Sequence, residues 1–237
     1  MTEIFFPLNP RPREDPAAAG VVQENLEYVM QLFQKGIEDG DILVWDKLLQ
    51  RYLAKAAGGA ELGSSLPILD LYPGRPFILT DNPTNPSYLW HLRYNPDSPS
   101  SYKWECMGGS PGMSVTTALG QEATTSTTYT NLATIGPSFQ IPAGVGGDFL
   151  IEAGASLAHD IAGNTSFMSY DLGATAAIDA DAVRGSTSDP VSAMKKRKKL
   201  AVASGALIRA RYRSSTAANE ARFQNDRWIT VFPYRVG

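Results

Sequence analysis

The amino-acid sequence predicts a mainly β protein with a short helical, coiled-coil-like N-terminal segment, a small β-hairpin module and a C-terminal antiparallel β-sandwich or jelly roll. Three observations predict this class. The 237 residues are only 19% charged and include 21 glycines and 16 prolines, which is typical of strands and turns. The C-terminal half alternates apolar and polar residues in short runs separated by turn residues. Two seams of apolar residues at helical spacing precede it.

Four regions follow from changes of composition along the chain. Residues 1–15 carry closely spaced prolines, which fix φ and remove backbone donors, so we expect an extended attachment arm. Residues 16–59 are the predicted helical oligomerisation segment, residues 60–110 the hairpin module and residues 111–237 the sandwich. The sequence opens without the basic start and apolar run of a signal peptide, and no stretch is long and apolar enough to span a bilayer.

The two helical seams lie on either side of a break at Gly36–Asp41. Each seam is either the core face of an ordinary amphipathic helix or one strand of a short intermolecular bundle, and the pattern alone leaves both open. The residues that would meet a second copy are Val22, Leu26, Val29 and Phe33 in the first seam and Ile42, Trp45, Leu49 and Tyr52 in the second.

A β-hairpin is predicted between Ser87 and Gly109. Aromatic residues alternate with polar ones in Tyr88–Tyr94 and again in Tyr102–Met107, which is the period of a half-buried strand. Asn95–Ser101 supplies the loop. An isolated hairpin is marginal in water, so we expect the aromatic face to be covered by more of the same chain or by identical chains.

The last strand, Arg227–Val236, is predicted to be apolar on both faces. Ile229 and Val231 lie on one face, and Trp228 and Phe232 lie on the other. The outer face of a sandwich strand is usually wet, so the second apolar face suggests that Trp228 and Phe232 belong to a subunit interface.

A cluster of basic residues has two interpretations. It is either the solvated end of an edge strand, where lysines oppose aggregation, or a patch for an anionic ligand. Ser204-Gly205 is predicted to be a hairpin turn that pairs this strand with the next one, which carries alternating arginines. The residues of the predicted patch are Lys195, Lys196, Arg197, Lys198, Lys199, Arg209 and Arg211.

The motifs that could carry enzymatic or metal chemistry each lack residues that this chemistry needs. Gly108–Gly112 matches G-x-S-x-G, but Pro111 has no N–H for an oxyanion and no helix pattern follows. Two histidines and one cysteine in no ligand pattern do not make a zinc site. Asp179-Ala180-Asp181 begins like a calcium loop, but the later ligand positions do not follow. We therefore assign no catalytic residue, no metal ligand and no cofactor.

Several sequence segments resemble sequences that are common in the tail, fibre and minor structural proteins of tailed bacteriophages. They are Leu89–Tyr94, Tyr102–Glu105, Gly108–Pro111, Thr124–Leu132, Gly136-Pro137, Gly147–Phe149 and Arg227-Trp228. The resemblance extends over residues 74–237. Cys106 departs from it, because a bulkier apolar residue is expected there.

The resemblance implies a virion structural protein that is made in the host cytoplasm and is not an enzyme. It implies a homotrimeric fibre or spike component that contacts other virion proteins through residues 1–59 and points its β domain outward, where it can bind a host-surface glycan. Membrane insertion is not expected, because no stretch is long and apolar enough to span a bilayer. Nucleic-acid binding is not expected either, because a net charge of −3 gives no general attraction to a polyanion. The alternatives are a structural decoration of neck, capsid or baseplate without receptor binding, a monomeric carbohydrate-binding module, and a polysaccharide depolymerase.

Overall fold

The computed structural model describes residues 41–46, 51–56, 60–69 and 71–237. These residues form fifteen β-strands in three sheets and no helix, so the mainly β prediction is confirmed. Within them, no helix is long and apolar enough to cross a membrane. The chain divides into two compact units, Met1–Gly59 and Ala60–Gly237.

The first unit contains a two-stranded antiparallel sheet where the second helical seam was predicted. Its strands are β1 (Asp41–Asp46) and β2 (Arg51–Ala56), with Trp45 opposite Tyr52. The helical placement of Ile42, Trp45 and Tyr52 is therefore wrong. Short apolar runs fit either period, and β-branched and aromatic residues favour the extended backbone. The predicted arm and the seam residues Val22, Leu26, Val29, Phe33 and Leu49 lie outside the described residues.

Two sheets make up the second unit. The nine-stranded sheet consists of β3 (Glu61–Gly63), β4 (Pro76–Leu79), β5 (Leu89–Tyr94), β6 (Trp104–Ser110), β7 (Gly112–Thr117), β8 (Glu122–Thr124), β10 (Gly147–His159), β13 (Val191–Val202) and β15 (Ala221–Val236). The four-stranded sheet consists of β9 (Ser138–Gln140), β11 (Ser166–Leu172), β12 (Val183–Gly185) and β14 (Leu207–Ser214). The orders are β13-β10-β15-β6-β5-β4-β3, with β7 and β8 also paired to β15, and β12-β11-β14-β9.

The predicted hairpin is present as β5 and β6, with Tyr94 opposite Trp104. Its aromatic face is covered by the same chain, because the Trp90 ring lies 5.9 Å from the ring of Phe149 on β10 and 6.1 Å from that of Phe139 on β9. The hairpin and the predicted sandwich share one sheet, so residues 60–110 and 111–237 are parts of one compact unit.

The inner faces of the two sheets enclose one hydrophobic core. Ile151 and Leu157 of β10 face Met168 of β11 in this core, and none of the three is exposed to solvent. Tyr212 of β14 meets Phe223 of β15 edge to face at 4.8 Å between ring centroids. Burying one such large side chain stabilises the fold by about 1.5–3 kcal/mol, so these contacts hold the sheets together.

The chain crosses from one sheet to the other between β13 and β14. The turn forms as predicted, with the Ala206 N–H donating to the Ala203 carbonyl at 3.2 Å. However, β13 pairs with β10, whereas β14 pairs with β11 and β9. The predicted β13–β14 hairpin is therefore wrong, because a tight turn does not determine whether its strands stay in one sheet. Ala201, at a φ of 51°, bends the chain just before the crossing.

Candidate functional site

The outer face of β15 carries large apolar side chains. Ile229 and Val231 point into the core and are fully buried, while Trp228 and Phe232 lie on the opposite face and are partly exposed. This matches the predicted alternation. Two bulky apolar side chains on the solvent side of a sheet are a feature that the core of this unit does not require.

Neighbouring strands extend this apolar surface. Residues directly opposite one another in antiparallel strands share a face of the sheet. Val115 of β7, 50% exposed, lies opposite Trp228, and Met194 of β13, 68% exposed, lies opposite Gly154 of β10. Leu150 of β10 lies opposite Phe232. We call this surface the association face; its residues are Met113, Val115, Leu150, Met194, Trp228 and Phe232.

Gly154 allows the Trp228 ring to lie flat on the sheet. These two residues are opposite one another on β10 and β15, and a Cβ at position 154 would overlap the Trp228 ring. The ring therefore occupies space that any other side chain on β10 would fill. Because the indole lies against the backbone, it presents its outer side to whatever meets the sheet.

Two of the predicted patch lysines lie on the same side of the sheet as the association face. The Lys196 ammonium lies 3.4 Å from a Glu152 carboxylate oxygen and 5.6 Å from the Phe232 ring centroid. The Lys198 ammonium lies 3.6 Å from the ring centroid of Tyr234. These two lysines of β13 cover aromatic rings of β15 on the side of the sheet away from the four-stranded sheet.

A second group of charges surrounds the loop between β11 and β12, where the edges of the two sheets come together. Asp179 and Asp181 lie on this loop, and cations reach it from β12, β13 and β14. We call this group the cation cluster; its residues are Arg184, Lys195, Arg197, Lys199 and Arg213 around the carboxylates of Asp179 and Asp181.

Asp179 binds the four-stranded sheet. Its carboxylate accepts hydrogen bonds from the Arg213 guanidinium and, at 2.9 Å, from the Tyr129 hydroxyl. The Arg213 hydrogen bonds hold the pKa of Asp179 below its usual value. The guanidinium groups of Arg213 and Arg184 lie 3.8 and 5.2 Å from the Phe167 ring centroid, so one aromatic ring supports two cations.

Asp181 binds the edge of the nine-stranded sheet. Its side chain is only 8% exposed, pairs with the Lys199 ammonium and lies 4.0 Å from the Arg197 guanidinium. Arg197 also donates two hydrogen bonds, at 2.7 and 3.1 Å, to the Ala180 carbonyl. The loop therefore links the two sheets by ion pairs on both sides.

The prediction and the structure share only part of this patch. Lys195, Arg197 and Lys199 face the loop, whereas Lys196 and Lys198 face the other way. Arg209 and Arg211 lie on β14, in the other sheet, and Arg211 pairs with Asp171 at 2.5 Å.

Arg184 was missed, because no sequence signal places a lone arginine on β12 beside residues of β13. The sequence argued against a calcium loop at the two aspartates, and in the structure their carboxylates bind side-chain cations. No group of three or more metal-ligand side chains occurs in the part of the chain that the structure describes.

A buried ion pair lies between the sheets near β8. Arg227 is fully buried, and its Nη1 lies 2.6 Å from Oε2 of Glu122, while its Cζ lies 5.3 Å from the Tyr212 ring centroid. None of the three guanidinium nitrogens makes a well-aligned hydrogen bond within the described residues. Burial raises the pKa of Glu122, but the Thr134 N–H and the Arg227 guanidinium together lower it by more than burial raises it. The pKa of Glu122 therefore lies below its usual value.

Ser214, His159 and Asp160 have the spacing of a nucleophilic triad but not its access. His159 Nε2 lies 3.1 Å from Ser214 Oγ, and Nδ1 lies 2.9 Å from Asp160 Oδ1. Neither His159 nor Ser214 has any exposed surface. Ser214 Oγ also bonds to the carbonyl of Asn219 and the N–H of Thr216. The group therefore closes the turn after β14 as a polar network within the fold.

No protein-family model matches this chain, and no curated protein is significantly similar to it in sequence.

Proposed function

We propose that this protein is a structural component of a tailed-bacteriophage particle, a homotrimeric fibre or spike protein that is attached through its N-terminal region and presents its β domain outward. The association face carries the proposal. Contiguous apolar patches on a folded domain mark interaction surfaces, whereas apolar residues scattered singly do not. Here three neighbouring strands and β7 contribute to one patch.

The occupant of the association face in this proposal is a second copy of the chain. Subunit interfaces combine large apolar side chains with polar groups. On the association face, Leu150 and Phe232 form one row across the strands and Met194, Trp228 and Val115 form another, and the Glu152–Lys196 ion pair lies in the row between them. The finer expectations of a jelly roll and of a helix in residues 16–35 remain part of the proposal.

Light scattering of the full chain tests the assembly. We expect a trimer, and a double variant Trp228→Ser/Phe232→Ser that is monomeric at the same concentration, because two large apolar anchors are lost. The matched control is Leu119→Ser/Ile135→Ser, which removes two exposed apolar side chains elsewhere and should stay trimeric. A monomeric full chain at concentrations well above about 1 μM would contradict the proposal.

The place of the protein is tested by mass spectrometry of gradient-purified particles from the host that carries this sequence. We expect the chain among the particle proteins in a copy number that is a multiple of three. Its absence from intact particles would overturn the virion assignment even if the purified chain were trimeric.

A further inference from the structure

The cation cluster carries more positive charge than the fold uses. Five cations surround two carboxylates, which leaves an excess of three positive charges on a molecule whose net charge is −3. Neither Arg184 nor Lys195 has an ion-pair partner in the part of the chain that the structure describes. Burial lowers the pKa of the Lys195 ammonium, and the nearby guanidinium groups of Arg197 and Arg184 lower it further. An anion placed here would relieve the repulsion among these three groups.

The excess charge is held in place and open to solvent. Arg184 donates to the Asp179 carbonyl at 3.0 Å and lies beside Phe167, while Arg197 donates two hydrogen bonds to the Ala180 carbonyl. A guanidinium has five donor hydrogens, so both groups keep donors for a ligand. The Arg197 side chain is 46% exposed. Two oriented forks beside a lysine fit carboxylate or phosphate groups that repeat along a polymer.

We propose that the cation cluster binds an acidic polysaccharide or another carbohydrate-like polyanion whose carboxylate or phosphate groups contact Arg184, Lys195 and Arg197. Nucleic acid fits less well. The rings beside the cluster, Phe167, Tyr129 and Tyr170, each lie against a cation of the chain itself, so they are not open for base stacking. The inference rests on the proposed function, since it specifies the ligand class of an outward-facing β domain.

Fluorescence anisotropy of the full chain at several NaCl concentrations tests the inference. The labelled probes are an oligogalacturonate, an oligomer of poly(glycerol phosphate), a neutral malto-oligosaccharide and oligothymidylate. We expect one or both of the first two probes to bind, with affinity that falls as salt rises. The oligogalacturonate and glycerol phosphate arms distinguish a carboxylate ligand from a phosphate ligand.

Variants locate the site. Arg184→Gln/Arg197→Gln should weaken binding about tenfold or more and reduce the slope of log affinity against log salt by about two. Arg184→Lys/Arg197→Lys should recover most of the salt slope. The control Arg93→Gln/Arg222→Gln removes the same charge from residues that pair with Glu105 and Glu220, outside the cluster, and should leave binding unchanged.

Four outcomes would overturn the inference: no binding of either acidic probe, equal loss in the control and cluster variants, equal binding of the neutral sugar, or tighter binding of oligothymidylate. Light scattering on the same samples separates this test from that of the proposed function. A trimer that binds neither acidic probe refutes the ligand alone. A monomer that binds through the cluster refutes the assembly alone.

Discussion

The interior ion pair of Arg227 and Glu122 and the ion pairs of the cation cluster use the same types of side chain but differ in burial and in charge balance. Between the two sheets of the second unit, one guanidinium meets one carboxylate, and Arg227 has no exposed surface. Around the loop, five cations surround Asp179 and Asp181, only three of them form ion pairs with these carboxylates, and the side chain of Asp179 is 48% exposed. The interior pair balances its charge, and the cluster does not.

The difference teaches where each charge is needed. A buried charge without a partner costs several kcal/mol, so the interior pair can tolerate no imbalance. Exposed pairs contribute little to stability because water and salt screen them. Unbalanced charge can therefore persist at the sheet edge, where it is available to a ligand. The stability lost on removing a charged side chain should therefore increase with the burial of that side chain.

The largest effect is expected from Glu122→Leu, which leaves Arg227 buried without a partner. We expect a loss of about 3–5 kcal/mol in the free energy of unfolding, measured by urea denaturation. The double variant Glu122→Leu/Arg227→Met should recover most of that loss, because it removes both charges at similar volume. If the single and double variants were equally unstable, packing rather than charge would explain the effect.

The same pair should give the fold a pH dependence. The folded-state pKa of Glu122 lies below its ordinary value of 4.5. The ionised carboxylate therefore stabilises the fold above pH 4.5, and this contribution is lost as the pH falls toward the folded-state pKa. From about pH 5 to about pH 3, the wild type should lose more stability than the Glu122→Leu/Arg227→Met variant. Parallel curves would contradict the assignment.

A smaller effect is expected from Asp181→Asn in the cation cluster. The carboxylate is largely buried and binds Lys199, but Lys199 can turn to water when the charge is removed. We expect a loss of about 1–2 kcal/mol in chemical denaturation. A loss as large as that of Glu122→Leu would show that the loop, too, depends on balanced charge.

The smallest effect is expected from Asp179→Asn, because its carboxylate is half exposed and Arg213 keeps its contact with Phe167. The loss of stability should stay below about 1 kcal/mol and should shrink further when wild type and variant are compared at high salt. A difference that salt does not change would argue against an electrostatic origin.

Much of the second unit could be predicted from side-chain alternation. The period of two places β5, β10 and β14 correctly, because each has one face buried in the core and an opposite face that is buried less completely. The region around Trp45 and Tyr52 could not be predicted, because a run of six residues fits either period. The crossing after Val202 was missed because strand pairing depends on long-range contacts that a turn does not reveal.

The candidate sites show the same limit. Trp228 and Phe232 were placed on the right face by alternation alone. Arg227 was not recognised as a core residue, since an arginine at the start of an apolar stretch is usually exposed, and its partner Glu122 is more than a hundred positions away in sequence. Predicting the cation cluster would have required knowing that β12, β13 and β14 come together at one loop.

The packing of Trp228 against Gly154 also gives the protein an intrinsic fluorescence probe. Among the tryptophan side chains that the structure describes, Trp90 and Trp104 are 1% and 3% exposed, whereas Trp228 is partly exposed on the outer sheet. Among these three, iodide in solution therefore reaches Trp228 first, and in a Trp45→Phe variant quenching of its emission reports on that surface separately from the core. Dilution through the dissociation range would turn the fluorescence of one indole into a readout of whether the sheet is covered.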